Sequence, residues 1–127
     1  MKVSLNKELQ KKLDAFLETK DAKIYKLLEI LNLKEFTFSE EEINQVEEIY
    51  KKNQDLYDYV YIGEAVIKIL GGFWFIGKFK RDSAYEKPII LGRKGEEDSP
   101  RIYPASWLYY IRINELGRPL GSFIYSP

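Results

Sequence analysis

The sequence predicts an α+β fold in which N-terminal helices pack on a small antiparallel sheet, followed by a C-terminal helix and tail. Apolar residues recur at spacings of three and four along the first half of the chain, which indicates amphipathic helices. Two short aromatic and β-branched segments in the second half, separated by a polar connection, indicate a β-hairpin. The length of 127 residues and the hydrophobic fraction of 45% suit one domain with a packed core.

Residues 1–127 are therefore treated as a single domain, made of a helical part (1–54) and a helix–hairpin–helix module (55–127). The first helix has one apolar stripe, formed by Leu5, Leu9, Leu13, Phe16 and Leu17. A break follows near Asp21, which is placed to cap the next segment. The second stripe is formed by Ile24, Leu27, Leu28 and Leu31. Asn32 then marks a C-terminal stop, because asparagine tolerates the left-handed conformation found at helix ends.

The third helix has the clearest start signal in the chain. Ser39 followed by Glu42 fits a capping box, and Phe38 with Ile43 fits a hydrophobic staple across that cap. Three glutamates lie at the positive end of the helix dipole: Glu40, Glu41 and Glu42. The predicted buried face consists of Ile43, Val46, Ile49 and Tyr50. Glu47 and Glu48 fall on the solvated face, and Lys51 and Lys52 lie in the last turn.

A fourth helix is predicted from Leu56 to Leu70, ending at Gly71 and Gly72 because glycine adopts the conformation that a helix end needs. Its apolar face consists of Leu56, Tyr59, Val60, Gly63, Val66, Ile67 and Leu70, and its other face of Tyr57, Tyr61, Glu64 and Lys68. The four-residue spacing of Glu64 and Lys68 predicts an ion pair. Gly63 costs about 1 kcal/mol relative to alanine inside a helix. We therefore expect the aromatic strand that follows to pack close against it.

The hairpin is predicted to pair residues 73–80 with residues 88–94, with Pro88 at the first position of the second strand, where its missing N–H is tolerated. Alternation places Phe73, Phe75, Gly77 and Phe79 on one side and Trp74, Ile76, Lys78 and Lys80 on the other. Residues 104–116 fit either a strand or a helix. Pro104 as the first helical residue and a stop at Gly117 favour the helix. The tail, residues 119–127, is expected to be extended or to add a third short strand.

The composition excludes several kinds of chemistry. The chain has no cysteine and no histidine. Disulfides, thiol nucleophiles, Ser-His-Asp catalysis and ordinary zinc sites are therefore impossible. We expect a protein that is not an enzyme and uses no cofactor or metal, because adjacent glutamates on a helix diverge instead of converging on an ion. The N-terminus has no signal-like apolar run and no stretch is long enough to span a membrane, so we expect a cytoplasmic protein with no membrane partner.

Two further hypotheses rest on local clusters. A basic cluster in the hairpin consists of Lys78, Lys80, Arg81, Arg93 and Lys94, with Phe79 and Tyr85 between them. Cations beside aromatic rings are typical of single-stranded nucleic-acid binding, although the formal net charge of zero and the nearby acidic residues argue against it. Alternatively, Glu64 with Tyr57 and Tyr61 on the same helix face could form a carboxylate-based active site.

From Tyr61 onward the chain resembles a module of small bacterial proteins, among them immunity-type proteins encoded beside polymorphic toxins. The motifs that carry the resemblance are "IGEAVIKILGGFW", "PIILG", "IYPASWLYYI" and "PLGSF". They are structural and cover about half of the chain. The resemblance therefore implies a helix-to-strand fold for this half, and it supplies no catalytic residue. The N-terminal helices have no counterpart in the module and could form a specificity surface.

The predicted function is that of an immunity protein that neutralises a cognate toxin by covering its active site. Small size, the missing catalytic groups, the acidic helix and the ten tyrosines motivate it, since an acidic helix can mimic phosphate in a basic nuclease cleft. The hypothetical partner-binding residues are Glu40, Glu41, Glu47, Glu48, Tyr57, Tyr61 and Glu64. The alternative is a nucleic-acid-binding module that uses the basic hairpin. The sequence indicates no oligomeric state.

Overall fold

The computed structural model describes residues 5–53, 59–95 and 100–126, and it confirms the α+β fold. Its helices are α1 (Lys7–Thr19), α2 (Tyr25–Leu31), α3 (Glu40–Lys52), α4 (Val60–Leu70), α5 (Pro104–Arg112) and α6 (Leu120–Tyr125). The strands β1 (Phe73–Ile76) and β2 (Pro88–Leu91) form a two-stranded antiparallel sheet. Short 3₁₀ turns cover Asp21–Ile24 and Arg93–Gly95. No helix in these ranges is long and apolar enough to cross a bilayer.

The first two helices have local caps that the sequence predicts only in part. The Asn6 side chain accepts a hydrogen bond from the Leu9 N–H at 2.9 Å and so starts α1. Asn32 ends α2 in the left-handed conformation (φ 57°), as predicted. The predicted cap at Asp21 is wrong, because this residue is already part of the 3₁₀ turn. Its carboxylate accepts a hydrogen bond from the Lys20 ammonium at 2.9 Å instead.

Helix α4 lies in the core, where it packs against α5, α6 and β2, and α3 packs in turn on α5 and α6. The α4 residues Val60, Tyr61, Ile62, Ala65 and Val66 have no exposed surface. Of the predicted second face, Lys68 is exposed and Glu64 is half-buried, but Tyr61 is as buried as its apolar neighbours. The predicted start at Leu56 lies outside the described residues, and the helix is observed from Val60. Gly71 and Gly72, both with positive φ, end the helix as expected.

The hairpin is shorter than predicted. Its register pairs Phe73 with Leu91 and Ile76 with Pro88. Beyond Ile76, Gly77 donates to the Lys87 carbonyl and accepts from the Glu86 N–H, both at 2.9 Å. These bonds and the positive φ of Glu86 (66°) fold the connection back, so the predicted ladder over 77–80 does not form. At the edge of β2 that faces away from β1, Ile102 pairs with Ile90 and extends the hydrogen bonding of the sheet.

In the C-terminal segment, the predicted start of a helix at Pro104 is confirmed, but its predicted end is not. Helix α5 stops at Arg112, because Asn114 takes a positive φ of 59° and its N–H bonds to the Ile111 carbonyl at 3.1 Å. The Glu115 N–H bonds to the Tyr110 carbonyl at 2.8 Å and completes the helix end. The predicted stop at Gly117 is therefore wrong.

The tail is helix α6 and not an extended segment. Leu120 and Ile124, four residues apart, have no exposed surface and pack into the core. The first N–H groups of α6 find acceptors on α3: the Leu120 N–H bonds to Glu47 at 2.8 Å, and the Gly121 N–H bonds to Asn44 at 2.7 Å. These long-range caps stabilise a six-residue helix that local propensity does not predict.

Candidate functional site

Glu64, the candidate catalytic carboxylate, is held by two structural contacts. Its Oε1 lies 3.0 Å from the Lys20 ammonium, and its Oε2 accepts a hydrogen bond from the Trp74 indole N–H at 2.8 Å. The predicted pair with Lys68 is wrong, because Lys20 approaches from the end of α1 and Lys68 is exposed. Glu64 therefore joins α4 to β1 and to the end of α1.

Gly63 explains how Trp74 reaches this carboxylate. A Cβ at position 63 would overlap with the six-membered ring of the Trp74 indole. The predicted close approach of the aromatic strand to Gly63 is confirmed. The missing side chain lets the indole approach α4 closely, and the indole also packs edge to face with Phe16 at a centroid distance of 4.7 Å.

The acidic helix α3 turns two of its carboxylates inward. Glu42 is buried and accepts hydrogen bonds from the Thr37 N–H and hydroxyl and from the Phe38 N–H, each at 3.0 Å, and from the Tyr61 hydroxyl at 2.7 Å. Only half of the predicted capping box forms. Ser39 Oγ accepts from the Glu42 N–H, whereas the Glu42 carboxylate is occupied by the preceding loop and α4. Burial and the nearby Glu42 charge raise the pKa of Tyr61 far above its usual value.

The structure separates the seven residues proposed for partner binding. Glu40, Glu41 and Glu48 are exposed on α3, as a contact surface requires. Glu47, expected on the solvated face, is buried because it caps α6, and Tyr61 is fully buried. Both oxygens of Glu64 are bonded, one to Lys20 and one to Trp74. Tyr57 lies outside the described residues. Within the described ranges, no group of three acidic side chains is placed to hold a metal ion.

A second candidate surface lies on one side of the hairpin, and we call it the hairpin face: Phe73, Phe75, Phe79 and Leu91, with the buried Ile89 on the same side of the sheet. Trp74, Ile76 and Ile90 point to the opposite side and are buried, so the predicted alternation in β1 holds. Phe73 is 51% exposed and Phe79 67% exposed. The Phe73 and Phe75 rings meet edge to face at a centroid distance of 6.2 Å. Sequence alternation identified these aromatics, but it could not show that Phe73 and Phe79 stay exposed while Phe75 packs beside Leu9, Leu13 and Ile76.

Cations lie beside the hairpin face. Lys78 places its ammonium 5.3 Å from the Phe79 ring centroid. Lys78 and Arg101 line a shallow depression of about 70 Å³ together with Phe75, Phe79 and Leu91. Of the predicted basic cluster, Lys80 and Arg81 are exposed and Arg93 is half-buried, while the side chain of Lys94 is not among those described. Tyr85, expected between the cations, packs instead with Leu9, Leu13 and Ile76.

The Arg101–Asp82 pair at the edge of the hairpin face should make stability depend on pH. Two hydrogen bonds join the guanidinium to the carboxylate, one of them 2.8 Å long, and they lower the pKa of Asp82 from 3.8 to about 2. A lowered folded-state pKa means that the pair stabilises the fold above about pH 4 and loses this effect as the pH falls towards 2. We expect Asp82→Asn to lower the free energy of unfolding at pH 7, with a smaller loss at pH 2. Equal losses at both pH values would contradict this.

Comparison of the chain with protein-family models, with curated proteins and with solved structures gave no match.

Proposed function

We propose that this protein acts by binding another protein, as an immunity-type inhibitor in the cytoplasm that covers the active site of a cognate toxin. The observation that carries the proposal is the hairpin face, an aromatic surface held in place by the core behind it. Large exposed aromatic surface is uncommon on monomeric proteins and marks interaction sites. Aromatic residues and arginine are also the side chains most enriched at the centres of protein interfaces.

The hairpin face is supported rigidly, which favours tight binding. Behind it, Trp74 packs on Gly63 and donates to Glu64, which also binds Lys20. A surface fixed before binding loses little conformational entropy when a partner docks. The same contacts support binding over catalysis, because they engage both oxygens of the carboxylate that the active-site hypothesis requires.

The exposed carboxylates of α3 add an electrostatic element to the proposal. Glu40, Glu41 and Glu48 remain in solvent, although Lys51 lies 3.5 Å from Glu48 and reduces the net negative charge there. Three exposed carboxylates attract a basic toxin surface and raise the association rate more than the affinity. The proposed interface thus combines an aromatic anchor on the hairpin with acidic steering by α3.

The test is binding to the toxin domain encoded beside this protein. We expect the purified proteins to form a complex, and Phe79→Ser and Phe73→Ser each to weaken it by at least about tenfold, as expected for aromatic residues that dominate an interface. Tyr25→Ser is the matched control, because Tyr25 is 61% exposed on α2, outside the hairpin. Titration calorimetry measures the affinities, and inhibition of the toxin's activity reports function.

A second candidate function, single-stranded nucleic-acid binding, is favoured by the position of Lys78 over Phe79. The Phe73→Ser and Phe79→Ser variants also test nucleic-acid binding when their affinity for an oligothymidine probe is measured. Binding that weakens steeply with salt and is lost with Lys80→Gln and Arg81→Gln would support nucleic acid. A neighbouring gene that encodes no toxin, together with no bound protein in pull-downs, would rule out the immunity proposal whatever the oligothymidine result.

A further inference from the structure

We propose that a groove between α3 and the α5–α6 connection binds a small carboxylate with a short apolar body. This α3 groove has a volume of about 490 Å³, within the usual range of ligand sites. Helix α3 forms one wall and the connection, residues 113–119, forms the other. Its lining residues that bear on binding are Asn44, Glu47, Glu48, Lys51, Leu116 and Arg118.

Two cations in the α3 groove have hydrogen-bond donors available for an anion. The Lys51 ammonium lies 3.7 Å from Glu47 and 3.5 Å from Glu48, both longer than the 2.7–2.9 Å of a charge-assisted hydrogen bond. Arg118 stacks its guanidinium 5.2 Å from the Phe123 ring centroid. Stacking covers one face of the guanidinium and leaves the donors at its edge available. No ion pair of Arg118 is found within the described ranges.

Of the two carboxylates in the groove, one is fixed by the fold and the other is largely exposed. The Glu47 side chain is only 7% exposed; its Oε1 accepts from the Leu120 N–H in the cap of α6, and its Oε2 lies 3.7 Å from the Lys51 ammonium. The Glu48 side chain is 60% exposed and can turn into solvent, where its charge is screened. Asn44 is oriented by its bond to the Gly121 N–H, which occupies the amide oxygen and leaves the two amide hydrogens as donors.

The apolar residues that line the α3 groove indicate the apolar part of the ligand. Leu116 contributes aliphatic surface to the groove beside the polar residues, with the buried Ile111 behind this lining. Pro119, the residue before α6, also lines the groove. A carboxylate placed at Lys51 and Arg118 would therefore position a short aliphatic group against this surface. The chemistry corresponds to a free small acid or to the C-terminal carboxylate of a peptide with an aliphatic last residue.

The probe for this site is N-acetyl-leucine, with N-acetyl-leucine amide as its uncharged counterpart. We expect N-acetyl-leucine to bind in the millimolar range, as is usual for a dozen non-hydrogen atoms, and to shift amide resonances of residues 44–51 and 111–121 in two-dimensional NMR. The amide should bind at least about fivefold more weakly. A tripeptide ending in leucine distinguishes the two sources: tighter binding than the probe indicates a peptide C-terminus, and equal or weaker binding indicates a free acid.

Lys51→Gln and Arg118→Gln should each weaken the probe at least fivefold, whereas Lys52→Gln should leave it unchanged. Lys52 is the matched control because it is an exposed neighbour on the same helix and does not line the groove. Dispersed spectra of each variant confirm the fold. The proposal is wrong if the acid and the amide bind equally, if no resonances in these ranges shift, or if both groove variants bind like the parent protein.

Discussion

Gly63→Ala is expected to destabilise the protein by about 2–4 kcal/mol, although alanine is the better helix former. Replacing glycine inside a helix normally gains about 1 kcal/mol. Here the added methyl group would occupy the volume of the Trp74 indole ring, and Trp74 is only 7% exposed. Either the helix shifts or the indole leaves its place and gives up its hydrogen bond to Glu64. Overpacking of this kind costs about 1–3 kcal/mol or more, and a lost hydrogen bond to a charged group costs about 1.5–3 kcal/mol, so the loss exceeds the propensity gain. Urea unfolding measures it.

The double variant Gly63→Ala/Trp74→Leu identifies the cause. Trp74→Leu alone should destabilise the protein, because it removes a large buried ring and leaves Glu64 without one hydrogen bond. In that background the alanine has room, so adding it should be neutral or stabilising by up to about 1 kcal/mol. If alanine costs the same with and without the indole, the contact between Trp74 and α4 does not explain why position 63 is glycine.

The part of the fold that depends on local pattern could be predicted from the sequence. The left-handed stop at Asn32, the start at Pro104 and the close packing at Gly63 each follow from the chemistry of one or two neighbouring residues. Helix α6 could not be predicted in this way. Its first N–H groups bond to side chains of α3 more than seventy positions earlier in the chain, and a short segment carries no sign of such distant caps.

The candidate site shows the same limit. The sequence places Glu42 in a capping box and Glu47 on the solvated face of α3, yet both are buried because other segments supply donors to them. Likewise, Glu64 has Lys68 at the ideal helical distance but binds Lys20, which α1 brings from 44 positions away. Ion pairing on one helix contributes only about 0.3–0.5 kcal/mol, so tertiary contacts easily override it. Within the hairpin face, by contrast, Phe73 and Phe75 follow directly from strand alternation, whereas Phe79 lies beyond the end of β1.

Glu42→Leu is expected to cost about 3–5 kcal/mol, because it removes the acceptor of four hydrogen bonds at once. Two come from backbone N–H groups of Thr37 and Phe38, one from the Thr37 hydroxyl and one from the fully buried Tyr61 hydroxyl. A buried donor left without a partner costs about 1–3 kcal/mol. Solvent can reach the two donors of Thr37, because this residue is exposed. The loop before α3 should loosen with α3 itself, which hydrogen exchange at residues 37–39 would detect.

Glu41→Leu is the matched control for this prediction, because Glu41 precedes Glu42 on the same helix turn and is exposed. It should change the free energy of unfolding by no more than about 0.5 kcal/mol. Tyr61→Phe alone should cost about 1–2 kcal/mol, since it removes one charge-assisted bond and leaves the carboxylate three donors. In the Glu42→Leu background the same change should be neutral or stabilising, because it deletes a hydroxyl that has lost its acceptor. If Tyr61→Phe costs as much there as in the parent protein, the buried carboxylate is not what holds the tyrosine, and α3 is anchored by its apolar face alone.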